Sequence, residues 1–126
     1  MHPLLLVAIG GAFGSAGRYL AMSTLGRWLG SGFPYGTLVV NITGSFLMGA
    51  LVGLLARYGG ESQTHLRLLL AVGVLGGYTT FSAFSLDAVT MMERGELLPA
   101  LLYMLGSVVF SVLALFAGLW IVRAVA

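Results

Sequence analysis

The sequence predicts an all-α integral membrane protein, with four transmembrane helices in a single domain over residues 1–126 and the third span broken mid-membrane. Composition, hydropathy and the spacing of charges predict it. Hydrophobic residues fill 59% of the 126 positions and charged residues only 8%, against about 25% charged in soluble domains. Mean hydropathy is +1.02, so too little polar surface remains to cover so small a globule in water. Four charge-poor runs are each long enough to cross a bilayer, which takes about 20 helical residues. These features exclude a soluble enzyme. They also exclude a nucleic-acid partner, because the net charge of +2 comes from scattered arginines. With no cysteine there is neither a disulfide scaffold nor a thiolate metal site.

The first span runs from Leu4 to about Leu25 and contains Arg18. The second lies between Arg27 and Arg57, the third between Arg67 and Asp87, and the fourth between Glu96 and Arg123. Charges mark the ends because one at mid-bilayer costs roughly 2.5–3.5 kcal/mol. The linkers, 26–33, 57–63 and 93–96, leave no room for an extramembrane domain. The N-terminus lacks the basic stretch of a signal peptide, and cleavage there would leave three spans. Four spans put both termini on one side. Arg57, Arg67 and Arg123 fall on that side; Arg27 and Arg94 fall opposite, with Arg18 if it snorkels. Three against three leaves two readings open: an orientation fixed by other features, or dual topology, in which oppositely inserted copies pair antiparallel.

Polar residues inside the spans follow a pattern. Thr37, Asn41, Ser45, Gly49 and Gly53 recur every four residues and form one narrow helix face. Tyr103, Ser107 and Ser111 repeat the spacing in the fourth span. Such faces line a path for a polar solute or bond helices to one another. The pairs Gly10/Gly14 and Gly49/Gly53 are GxxxG motifs, whose ordinary use is helix packing. In the third span Gly76-Gly77-Tyr78-Thr79-Thr80-Phe81 falls roughly 18 Å from Thr64, near mid-bilayer. Paired glycines beside two β-branched threonines favour a break or a kink. Freed carbonyls at a break can coordinate a cation.

Phe81 and Phe84 share a helix face, either as core packing or with their positive ring edges offered to an anion. Arg18 reads as a snorkelling anchor or as a positive charge in a vestibule. Asp87, Glu93, Arg94 and Glu96 read as a solvated rim. His2 and His65 have no ligand spacing and are assigned no chemistry. No catalytic constellation is present: the span interiors hold no histidine, acid or cysteine.

Gly10-Gly11-Ala12-Phe13-Gly14 with Arg18-Tyr19, Gly36-Thr37-Leu38-Val39-Val40-Asn41 with Gly44-Ser45-Phe46, and Gly76-Gly77-Tyr78-Thr79-Thr80-Phe81-Ser82-Ala83-Phe84 resemble the CrcB/Fluc family of fluoride ion channels. The resemblance covers nearly the whole chain. It implies an antiparallel dual-topology homodimer in the bacterial inner membrane, with two pores that pass fluoride passively out of the cytoplasm and confer fluoride resistance. By position it implies a fluoride pathway of Asn41, Phe81, Phe84, Thr80, Ser82, Tyr103, Ser107 and Ser111, with Arg18 in a vestibule. It also implies a structural sodium ion at the dimer centre, held by the backbone carbonyls of Gly76 and Thr79. Ala83 departs from the threonine of many members and removes one hydroxyl near the rings. A small dual-topology multidrug antiporter is the rival of similar size, but it needs a carboxylate in mid-membrane. Here Glu61, Asp87, Glu93 and Glu96 all read as lying at or near span ends. A non-transporting scaffold would leave the aligned donor faces unexplained.

Overall fold

The computed structural model describes residues 2–30, 32–58 and 60–125. Its elements are helical throughout: α1 (Pro3–Leu29), α2 (Tyr35–Tyr58), a 3₁₀ turn (Gly60–Ser62), α3 (Gln63–Leu66), a π-helical segment (Arg67–Leu75), α4 (Gly76–Tyr78), α5 (Phe81–Glu93) and α6 (Leu97–Val125). Among the described residues four stretches are long and apolar enough to cross a membrane: Pro3–Leu29, Tyr35–Tyr58, Gly60–Glu93 and Leu97–Val125. The helices overrun the charge-delimited spans, because a charge limits depth in the bilayer without interrupting backbone hydrogen bonding. Thus α1 continues through Gly26 and Arg27 and stops at Gly30, whose φ of 83° only glycine adopts readily.

Each helix end has its own chemistry. The His2 imidazole accepts the Leu4 amide at 3.1 Å and Pro3 opens the helix, which gives His2 a capping role. The α5–α6 turn is a Schellman motif. Gly95 (φ 81°) donates to Met92 at 3.0 Å and Glu96 donates to Met91 at 2.9 Å. At the start of α5, Thr80 is an N-cap whose hydroxyl accepts the Ala83 amide at 3.1 Å. Thr79 (φ −82°, ψ 159°) and Thr80 (φ −149°, ψ 123°) are extended, so the backbone between Tyr78 and Phe81 is not helical.

Glycine packing assembles the helices. A Cβ at Gly49 would strike the Leu115 carbonyl, one at Gly53 would meet the Val122 side chain at 3.0 Å, and one at Gly118 would strike the Phe46 carbonyl. From Gly49 to Gly53 the facing position rises from Leu115 to Val122, so α2 and α6 run parallel in backbone contact. By the same test Gly10 meets Leu69 and Gly14 meets Val74, which sets α1 parallel to the π-helical segment. Both GxxxG pairs therefore pack helices. The buried cluster is small: Phe84, Ala88, Met91, Ala100 and Tyr103, where α5 meets α6. Large apolar side chains elsewhere face outward, with Phe13 71% and Trp120 70% exposed, as suits a lipid-facing chain.

The glycine contacts predict an asymmetric mutation series. Gly49→Leu should lose about 3 kcal/mol through overpacking against the Leu115 backbone. Gly11→Ala, whose Cβ meets nothing within 4 Å, should stay within about 0.5 kcal/mol of the parent. Denaturant unfolding in micelles reads both.

Candidate functional site: a cavity beside the extended Thr79–Thr80 segment

Two extended residues inside an apolar helical stretch release backbone groups from their helical partners, and those groups need others. The fold supplies the missing partners. The Asn41 carboxamide on α2 takes both groups of Thr80: the Thr80 amide donates to Oδ1 at 2.8 Å, and Nδ2 donates to the Thr80 carbonyl at 2.9 Å. The Thr79 amide and hydroxyl both donate to the Leu75 carbonyl, each at 3.0 Å. Arg18 Nε donates to the Gly77 carbonyl at 3.1 Å. Arg18 is half-buried on α1 and serves the C-terminal end of the preceding helical stretch, where cations are favoured.

Beside this segment lies a cavity of about 360 Å³ between α2, α5 and α6. Its polar wall is Asn41, Ser45, Thr79, Thr80, Ser107 and Ser111. Phe81 and Phe84 flank it, with ring centroids 5.5 Å apart and planes inclined by 46°. Phe84 is buried, while Phe81 stands at the mouth, 76% exposed. Ser107 is 5% exposed and its hydroxyl has no hydrogen-bond partner among the described residues. No acid, arginine or histidine lines the cavity.

The orientation of Asn41 is settled by its partners. A backbone amide can only donate, so the atom facing Thr80 N is the side-chain oxygen, and the amide nitrogen faces the carbonyl. One lone pair of the oxygen is thereby used, and one N–H remains unpaired among the described residues. Thr80 Oγ1 has likewise accepted the Ala83 amide, and lies 3.4 Å from Ser82 Oγ. The wall thus keeps unused protons on Asn41 and Ser107, whereas the Thr79 proton is spent on the Leu75 carbonyl.

Of the residues singled out from sequence, Asn41, Phe81, Phe84, Thr79, Thr80, Ser107 and Ser111 converge on this cavity, and Ser45 joins them. Gly76, Ser82, Arg18 and Tyr103 do not line it. Tyr103 is 1% exposed, lies on Phe84 (centroids 5.1 Å) and donates its hydroxyl to Asp87 Oδ2 at 3.1 Å. Asp87 therefore departs from the solvated rim expected for it. It sits three residues after Phe84 and four before Met91, and helical register turns it toward the core. Arg94 and Glu96 do form an exposed pair at 3.1 Å. The Asp87–Tyr103 contact was open to inspection as an acid in helical register with Phe84, but the pattern of charged neighbours concealed it.

The sequence model of the family described as CrcB-like protein, Camphor Resistance (CrcB), matches residues 5–119. A protein named fluoride-specific ion channel FluC from Chelativorans sp. (strain BNC1) is 54% identical over 125 residues, covering 99% of both chains. Proteins of the same name from Phenylobacterium zucineum (strain HLK1) and Paracoccus denitrificans (strain Pd 1222) are each 55% identical. They cover 99% and 97% of this chain, and 98% and 95% of their own.

The Asn41 clamp predicts a graded response. Asn41→Leu leaves two backbone groups unpaired, at about 1–3 kcal/mol each, and should speed hydrogen exchange at the Thr80 amide. Asn41→Asp keeps the acceptor and should leave that amide more protected than Asn41→Leu does.

Proposed function

The chain belongs to the family of CrcB-like proteins, and from that premise we propose that it is a fluoride-selective channel, passing fluoride passively down its electrochemical gradient. One observation carries the proposal: an uncharged cavity whose polar wall, Asn41, Ser45, Thr80, Ser107 and Ser111, retains hydrogen-bond donors. Fluoride is small and its dehydration cost is very large, of the order of tens of kcal/mol if left unpaired. Each hydrogen bond to a charged group contributes about 1.5–3 kcal/mol net. A row of neutral donors replaces water in steps, whereas a fixed cation in the wall would hold the ion too tightly to conduct. The edges of Phe81 and Phe84 add a weak positive field. Export follows from weak-acid chemistry: hydrogen fluoride enters uncharged, ionises near neutrality, and an inside-negative potential expels the anion. Such a leak in the bacterial inner membrane lowers cellular fluoride and confers resistance.

The channel is an antiparallel, dual-topology homodimer with two pores. The even arginine count supports this, as does Phe81, which stands exposed at the cavity mouth where a second chain would close the wall. The third span is broken at mid-membrane. A structural sodium ion suits the donor set there. The carbonyls of Gly77 and Thr80 are taken by Arg18 and Asn41, whereas those of Gly76 and Thr79 accept no hydrogen bond among the described residues. Hard cations take oxygen ligands of this kind. Gly76 and Thr79 of both chains would hold the ion, which supplies a fixed positive field. Arg18 shares that region and contributes to the same field. Ser82 belongs to the outer pathway, beyond the cavity, and Tyr103, buried behind Phe84 and bonded to Asp87, supports that ring.

Purified protein in liposomes under a fluoride gradient should discharge fluoride and not chloride; equal rates for both would reject selectivity. Ser107→Ala should slow the efflux roughly 10- to 100-fold, the loss of one charge-assisted bond at the barrier, and Phe81→Ile should also slow it with the dimer intact. A single cysteine introduced at Glu61 should label from both sides of the membrane, and strictly one-sided labelling would end the dual-topology reading.

A further inference from the structure

A second cavity, of about 320 Å³, lies between the C-terminal turns of α2 and α6. Parallel packing brings these two ends together, and with them Arg57 and Arg123, each in the last turn of its helix. Both guanidiniums line the cavity and are exposed. Neither forms an ion pair or a side-chain hydrogen bond among the described residues, where Arg94–Glu96 is the salt bridge present. Below them the walls are wholly apolar: Val52 and Ala56 on α2, Leu119 and Val122 on α6, with Gly53 as the floor.

Two like charges converging on one cavity repel unless an anion lies between them. The place of the cavity along the helices says which anion. Tyr58 (67% exposed) and Trp120 (70% exposed) stand beside the arginines on the outer surface, and such aromatics mark the depth of lipid headgroups. The groove continues the α2–α6 seam of the fluoride cavity, one turn further on. The residues between the two, Met48, Val52, Leu115 and Leu119, are apolar, so an ion moving along the seam would find no donor. The arginines are therefore not a feeder for that cavity. A phosphodiester with an alkyl chain attached matches both halves of the groove, charge at the mouth and hydrocarbon below. Basic pockets between transmembrane helices recognise anionic lipids by these means.

We propose that the α2–α6 groove binds an anionic phospholipid, its phosphodiester between Arg57 and Arg123 and an acyl chain against Val52, Ala56, Leu119 and Val122. The test uses the full-length protein purified in a zwitterionic detergent, with bound lipid read by native mass spectrometry and thermal unfolding. Dioleoylphosphatidylglycerol should bind and raise the melting temperature more than dioleoylphosphatidylcholine does. Arg57→Gln/Arg123→Gln should weaken the phosphatidylglycerol adduct roughly 30-fold, as expected for two headgroup-level arginines. Arg94→Gln, at the opposite end, should leave it unchanged. Ala56→Phe fills the groove with both arginines present and should also weaken it. Undiminished adducts in the double variant overturn the site. If inorganic phosphate alone gives the same stabilisation, or if Ala56→Phe binds the lipid as the parent does, the groove is a free-anion site and the lipid assignment fails.

Discussion

The pair of hydrogen bonds between the Asn41 carboxamide and the Thr80 backbone is the interaction on which the site depends. An extended residue inside an apolar helical stretch leaves an amide and a carbonyl without helical partners. Asn41 satisfies both with one planar group, at 2.8 and 2.9 Å. That geometry ties α2 to the segment between Tyr78 and Phe81 and sets where α5 begins. Because Thr80 also caps α5 through its hydroxyl, the direction of the Phe81 and Phe84 rings follows from the same anchor. Loss of the clamp would release the cavity wall and the aromatic pair together.

Close glycine contacts hold the frame that makes this clamp possible. Position 44 looks onto Tyr78 and Thr79: a Cβ added there would strike the Thr79 methyl. Gly44 thus lets α2 approach closely enough for Asn41, one turn earlier, to reach Thr80. Gly49, Gly53 and Gly118 then draw α2 and α6 into backbone contact further along. The polar stripe on α2 accordingly has two jobs. Asn41 and Ser45 open onto the cavity, and Gly49 and Gly53 close the helix pair. A four-residue spacing serves both, since each depends on facing the same neighbour.

Much of this was legible in the residues. Four spans follow from charge spacing, and the glycine pairs follow from the small-residue rule of helix packing. That Asn41, Ser45, Ser107 and Ser111 share one wall matches one of the two readings open to stripes of equal period on α2 and α6; Thr80 belongs to neither stripe. What stayed hidden depended on partners distant in sequence. Nothing local to Asn41 announces that its oxygen is committed to an amide 39 residues away. Arg18 offered an anchor or a vestibule charge, and its bond to Gly77 required knowing that α1 packs along the third span. Asp87 looked like rim because its charged neighbours Glu93, Arg94 and Glu96 follow it, yet register with Phe84 turned it to Tyr103. The π-helical hydrogen bonding of Arg67–Leu75 carried no signal in composition, since no residue type demands it. Its place opposite Gly10 and Gly14 suits the wider, fatter backbone that close α1 packing accommodates.

The polarity of the cavity follows from how its groups are used up. A carboxamide in isolation is indifferent to ion sign, with two donor hydrogens and an acceptor oxygen. With one bond given to the Thr80 carbonyl and one accepted from the Thr80 amide, it keeps one N–H and one lone pair for the cavity. Thr80 repeats the logic on a smaller scale: its hydroxyl oxygen accepts the Ala83 amide, which leaves it a proton and one lone pair. Ser107 is buried without a partner, a state that costs about 1–3 kcal/mol and that an acceptor arriving in the cavity would relieve. Under the proposed function, the donors that remain on Asn41 and Ser107 would meet an anion without any positive side chain in the wall. The backbone of the extended segment takes its partners first, and what it leaves over is what the cavity can offer an ion.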